Sequence, residues 1–137
     1  NWRILREGLD DLASSFILPE PTPGSDPSWF GFMLTVRPEA SFTRDAMVRH
    51  LEAKRIQTRM LFGGNLLRQP AMVDLIADRK AQGMPDPCRI ASDLSVTDQV
   101  MDGGFWLGVY PGMSEAQLGY MIETIRDFVH TQGGSKA

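Results

Sequence analysis

Apolar positions recur along this chain at two different periods, and the switches between them set out its elements. Trp2, Leu5, Leu9, Leu12 and Phe16 fall three or four residues apart, which is one face of a first helix over about residues 1–13. Phe16-Ile17-Leu18 reads as a short strand stopped by Pro19, Pro21 and Pro23. A rigid connection with a turn at Gly24-Ser25-Asp26 follows. Trp29 to Val36 is a nearly continuous apolar run, the pattern of a strand covered on both faces. Gly31 inside it marks a bulge or a close neighbour, and the local reading of Trp29 and Phe30 is core packing. Thr43 suits the cap of a helix over about 43–54, with Met47, Val48 and Leu51 on its apolar side and His50 at the surface or rim.

A strand over about 57–62 then runs into Gly63-Gly64. Pro70 fits the first turn of a further helix, whose apolar positions Met72, Val73, Leu75 and Ile76 are less regular. A loop at 83–87, a short helix near 95–102 and a strand at 105–110 follow, the strand closed by Pro111-Gly112. Ser114 and Gln117 have the spacing of a capping box. They open a helix over about 115–131 with the stripe Leu118, Met121, Ile122, Ile125, Phe128 and Val129. The order helix, strand, strand, helix, strand, helix, helix, strand, helix predicts an α+β fold. Its small, mostly antiparallel sheet should carry helices mainly on one face, the last helix lying across strands 29–36, 57–62 and 105–110.

Composition narrows the function classes. The chain has 137 residues, enough for one domain with a core, and a net charge of −3, which gives no electrostatic case for nucleic acid or an anionic membrane. No apolar run is long enough to span a bilayer, and no secretory signal opens the chain, so a cytoplasmic location is expected. Cys88 is the single cysteine, which rules out an internal disulfide or a Cys-ligated metal site built from this stretch alone. Asn1 is not a start methionine and Trp2 enters a helical pattern without a cap. The expectation is a piece of a longer polypeptide: one domain over 1–132 and a disordered tail over 133–137.

Candidate chemistry centres on Arg59 to Pro70. Paired glycines at a strand end are followed by Asn65, Arg68 and Gln69, which can present hydrogen-bonding groups to a ligand. The same residues also suit an ordinary strand-to-helix connection, and an Arg at position 68 suits a helix cap or an ion pair as well as an anionic substrate. His50 has no second His or carboxylate at a ligand spacing, and His130 is explained by its place in the last turn of the final helix, where a cation suits the dipole.

Four stretches carry a resemblance to a known family: Ser25 to Phe32, Thr58 to Pro70, Asp93 to Met101, and Phe105 to Gly112. Together they resemble the C-terminal small domain of the DegT-type family of pyridoxal-phosphate-fold sugar enzymes. Within it, the match is to the branch of the CDP-4-dehydro-6-deoxyglucose 3-dehydratase type, from 3,6-dideoxyhexose and lipopolysaccharide biosynthesis. The resemblance implies a homodimer that acts on a nucleotide-sugar with pyridoxamine phosphate (PMP, the amine form of PLP), a [2Fe–2S] cluster and a separate reductase. It places the catalytic histidine, the phosphate-binding residues and the cluster cysteines before Asn1. No catalytic or metal-ligating residue is therefore expected here, and no cofactor bound by this stretch alone.

The resemblance also implies roles for single residues. Phe30 matches a place where the aminotransferase branch commonly has His, and a phenyl group cannot move a proton. Gly64, Asn65, Arg68 and Gln69 match a dehydratase pattern and should face the sugar or the cofactor. Gln99 departs from relatives that carry Arg, and the stretch 74–87 is longer than expected, so both bear on the exact substrate. Two other readings stay open: the small domain of a PLP-dependent sugar aminotransferase, which the residue at the Schiff-base position would decide, and a free-standing ligand-binding α+β domain.

Overall fold

A computed structural model describes residues 1–133. The elements run α1 (Trp2–Gly8), β1 (Phe16–Ile17), β2 (Gly31–Val36), α2 (Arg44–Ala53), β3 (Thr58–Arg59), α3 (Pro70–Ala81), α4 (Ser95–Gly103), β4 (Gly104–Gly108) and α5 (Glu115–Gly133). Single 3-10 turns stand at Asp10–Leu12 and Leu66–Arg68. The strands form one antiparallel sheet in the order β1-β2-β4-β3, with Phe32 opposite Leu107 and Thr58 also opposite Leu107 from the other side. The expected α+β fold and element order are therefore observed.

Alternation along the strands divides the two faces of the sheet. Phe32, Leu34, Phe105 and Leu107 are fully buried and point to one face. There they meet Leu5 and Leu9 of the first helical segment, Met47 and Leu51 of α2, and Leu118 and Ile125 of α5. Leu118, Met121, Ile125 and Phe128 of the α5 stripe are buried and Ile122 and Val129 partly so, and full burial of such a side chain contributes about 1.5–3 kcal/mol. The box at its start is formed. Ser114 N–H donates to Gln117 Oε1 (2.8 Å), and Gln117 N–H donates to Ser114 Oγ (3.3 Å). The Thr43 cap is also present, its Oγ1 accepting from Ala46 N–H at 3.2 Å.

The opposite face is covered only in part, which corrects the expectation for β2. The end of α4 lies against Thr35 and Met33: a Cβ on Gly103 would stand 2.6 Å from the Val36 carbonyl oxygen and 3.2 Å from Thr35 Cγ2. At the other end Trp106 is half-buried and packs on Gly31, where a Cβ would stand 2.8 Å from Trp106 Cε3. Trp29 leaves the strand and stacks on Trp2 with ring centroids 4.7 Å apart, as a core residue should. Phe30 does not join the core. It is 70% exposed and rests edge-on against Trp106 at 5.3 Å.

Three further boundaries differ. The first helix breaks after Gly8, yet Leu9, Leu12 and Phe16 stay buried because the 3-10 turn keeps them on the same side. The strand expected over 57–62 pairs only at Thr58 and Arg59. Beyond them Phe62 N–H turns back to the Met60 carbonyl (3.0 Å) and Phe62 takes a left-handed φ of 42°, so the chain peels away from β4. Of the tail expected over 133–137, Gly133 closes α5 and residues 134–137 lie outside the described residues.

Candidate functional site: the glycine turn docked on α4

The turn after β3 is built by local chemistry. Gly64 has φ +60°, where an L side chain is strained, and a Cβ there would stand 2.6 Å from Met101 Cγ. Glycine thus lets the turn press directly onto α4. Asn65 follows at 5% exposure, with both ends of its amide engaged. Its Oδ1 accepts from Leu67 N–H (3.0 Å) and caps the 3-10 turn, and its Nδ2 donates to Asp98 Oδ1 (2.8 Å). The Asn65 backbone N–H points at Met101 Sδ (3.3 Å), and Gln69 Nε2 donates to the Gly63 carbonyl (2.6 Å).

Arg68 extends from the same turn over α4. Its Nη1 donates to Asp98 Oδ1 (3.1 Å) and to both carboxylate oxygens of Asp102 (3.2 and 3.1 Å). The two carboxylates sit four residues apart, on one face of the helix. The bonds from Asn65 and then from Arg68 hold the Asp98 carboxyl below its ordinary value. The bonds that Arg68 donates to Asp102 and then to Asp98 raise its guanidinium further. All these contacts use one nitrogen of the guanidinium, which is 47% exposed; its Nε and Nη2 have no hydrogen-bond partner among the described residues. The site therefore has a rigid floor, Asn65 and Asp98, and a partly neutralised cation at its rim.

Gly64, Asn65, Arg68 and Gln69 come together in this one turn. Phe30 does not join them. It lies beside Val109, past the far end of β4, whereas the turn docks on Met101, before the strand begins. Gln99 lines a groove with Arg37, Arg44 and Asp102, and among the described residues it makes no hydrogen bond to Arg68. Sequence reasoning missed Asp98 and Asp102, although an acidic pair at i and i+4 is the signal of a docking place for an arginine. The stretch after Pro70 forms α3, which buries none of its residues. Asp93 ties down the start of α4, accepting from Ser95 N–H (3.1 Å) and Oγ (2.9 Å).

The chain is similar to known proteins over nearly its whole length. It is 46% identical over 129 residues to dTDP-4-dehydro-2,6-dideoxy-D-glucose 3-dehydratase of Saccharopolyspora spinosa, which covers 94% of this chain and 25% of that protein. It is 35% identical over 128 residues to the lipopolysaccharide biosynthesis protein RfbH of Salmonella typhimurium, covering 93% and 27%. The chain thus spans about a quarter of the length of these relatives. Its fold matches GDP-4-keto-6-deoxymannose-3-dehydratase, solved with a trapped PLP-glutamate geminal diamine, with a TM-score of 0.71 at 16% identity over 90% of this chain and 28% of that one. It also matches a DegT DnrJ EryC1 StrS aminotransferase from Brucella abortus, with a TM-score of 0.61 at 21% identity over 92% and 29%. Residues 1–126 match the DegT/DnrJ/EryC1/StrS aminotransferase family as a whole, and the chain belongs to that family.

Proposed function

We propose that this stretch is the C-terminal small domain of a nucleotide-sugar 3-dehydratase that removes the 3-hydroxyl of a 4-keto sugar. The observation that carries the reading is the 46% identity to a sugar 3-dehydratase across 94% of the chain. Phe30 supports it, since an exposed phenyl ring beside Trp106 offers no group to move a proton. The reading extends to a cytoplasmic homodimer with PMP, a [2Fe–2S] cluster and a separate reductase.

The residues of this stretch do not by themselves fit those groups. Cys88 is exposed and alone, and a [2Fe–2S] cluster needs several thiolates. Among the described residues no group of three or more His, Cys, Asp and Glu is placed to hold a metal. The lysines described, Lys54 and Lys80, are both exposed. The cofactor and cluster are accordingly assigned to residues beyond this stretch, and its own part is to close the substrate site with the turn at Gly64, Asn65, Arg68 and Gln69, and with Phe30. Asn65 and Asp98 hold the turn still, while Arg68 offers its free N–H groups to the sugar or its phosphates. Among the described residues no helix is long and apolar enough to cross a membrane.

The test supplies the full-length protein with PMP, a nucleotide-linked 4-keto-6-deoxy sugar and an electron donor, and follows the sugar by mass spectrometry. Loss of one oxygen from C3, with two electrons and two protons taken up and water released, is the expected result. Exchange of the keto oxygen for nitrogen would instead establish a sugar aminotransferase and overturn the proposal.

A further inference from the structure

The two carboxylates that hold Arg68 are not equivalent. Asp98 Oδ1 accepts from Arg68 and also from Asn65 Nδ2, and Asn65 is fixed in turn by its own bond from Leu67 N–H. Asn65 is buried, so Asp98 is tied into the body of the fold. Asp102 has no such tie. Among the described residues its carboxylate accepts from Arg68 alone, and its side chain is 62% exposed. An ion pair as exposed as that contributes little and is readily exchanged.

Asp102 also borders a second surface. Ser95, Gln99 and Asp102 follow one another at four and three residues along α4 and line a groove with Arg37 and Arg44. Arg44 is held there by Nη1, which donates at 2.8 Å to the carbonyl of Met101, the residue before Asp102. Arg37 is held by Nε, which donates to the carbonyls of Ala13 (2.8 Å) and Phe16 (3.2 Å). Among the described residues neither arginine has a hydrogen bond from Nη2. The Asp102 carboxylate thus stands between Arg68 on one side of α4 and a cationic groove on the other, and leaving Arg68 does not leave it without positive charge nearby.

We infer that Asp102 is a displaceable counter-ion that competes with the substrate for Arg68, and that Asp98 is the fixed pivot that keeps Arg68 aimed. With the site empty, Asp102 holds Arg68 Nη1 and offsets its charge. A phosphate group binds a guanidinium through paired charge-assisted hydrogen bonds and takes the place of Asp102. Asp98 stays, because Asn65 holds it. The two carboxylates therefore act on substrate affinity with opposite signs. Both are positioning residues: they act through Arg68. The inference rests on the reading of Arg68 as a substrate contact.

The experiment uses the full-length protein and the nucleotide-linked 4-keto-6-deoxy sugar. Calorimetry without electron donor gives the dissociation constant, and turnover with the donor gives KM and kcat. Wild type is compared with Asp102→Asn, Asp98→Ala, Asp98→Asn, Arg68→Ala and the double variant Arg68→Ala/Asp102→Asn. Asp102→Asn should bind the sugar about two- to fivefold more tightly, the range of an exposed ion pair, and the change should appear in KM rather than kcat. Asp98→Ala should weaken binding about tenfold. Asp98→Asn keeps an acceptor for Asn65 and Arg68 and should recover most of that loss, which a mere change of charge would not. With Arg68 already replaced, removing Asp102 should have no effect, since the pair acts as one unit.

Unchanged or weaker binding in Asp102→Asn, which alters an exposed side chain, overturns the inference whether or not Asp98→Ala folds. Equal tightening with and without Arg68 also overturns it, because the gain would then come from removing any negative charge near the site. Either result, with the 3-hydroxyl still lost in the wild type, sinks the counter-ion alone. The expected pattern of dissociation constants, with no dehydration by the wild type, sinks the dehydratase reading and leaves the roles of Asp98 and Asp102 standing.

Discussion

Asn65 Nδ2 donates to Asp98 Oδ1 at 2.8 Å, across 33 residues of sequence, and joins the glycine turn to α4. Asn65 is 5% exposed, so its amide has no water to fall back on if the partner is lost. Asn65→Ala removes this bond and the cap on the 3-10 turn together. The expected loss of stability is about 1–3 kcal/mol, read as a lower melting temperature of the protein. An unchanged melting temperature would show that the turn does not depend on this anchor.

Gly64 tests the same docking from the backbone side. Its φ of +60° and its approach to Met101 both exclude a side chain without adjustment. Gly64→Ala should destabilise by about 1–3 kcal/mol, and limited proteolysis should cut the 62–69 turn faster than in the wild type. Equal cutting rates would count against a tightly docked turn.

For Arg68 the direction is functional. Its ion pairs are solvent-exposed and contribute little to stability. Arg68→Ala should leave the melting temperature of the full-length protein close to wild type and weaken nucleotide-sugar binding about ten- to a hundredfold. Unchanged substrate affinity with a large fall in melting temperature would make it a structural residue.

Acid should act through Glu52. Two hydrogen bonds from Thr58, first from its N–H and then from its hydroxyl, hold the Glu52 carboxyl below its ordinary value of 4.5. A carboxyl depressed on folding contributes stability above its unfolded value and loses it as the pH falls through the folded one. Denaturation midpoints measured between about pH 5 and pH 3 should therefore drop less in Glu52→Gln than in the wild type. Parallel curves would show that the bond to β3 makes no difference to acid stability.

What the sequence by itself determined lies within a few residues of its own cause. The Ser114–Gln117 box, the Thr43 cap, Pro70 at the first position of α3 and the stripe from Leu118 to Phe128 each depend on contacts inside one or two helical turns. Spacing alone therefore revealed them, along with the element order and the α+β class. The residues of the glycine turn were legible too, because glycine, asparagine and arginine at a strand end are local signals. Their roles were not. Arg68 meets Asp98 and Asp102 from 30 and 34 residues away, and Asn65 turns inward only because α4 passes beneath it. Phe30 reads as core, yet it stands exposed against Trp106 just before β2 begins, and β3 stops after two residues where Phe62 bends away from β4. Short-range spacing cannot carry such information, since it is the packing of distant segments that chooses which polar groups face each other and which are left to face a ligand.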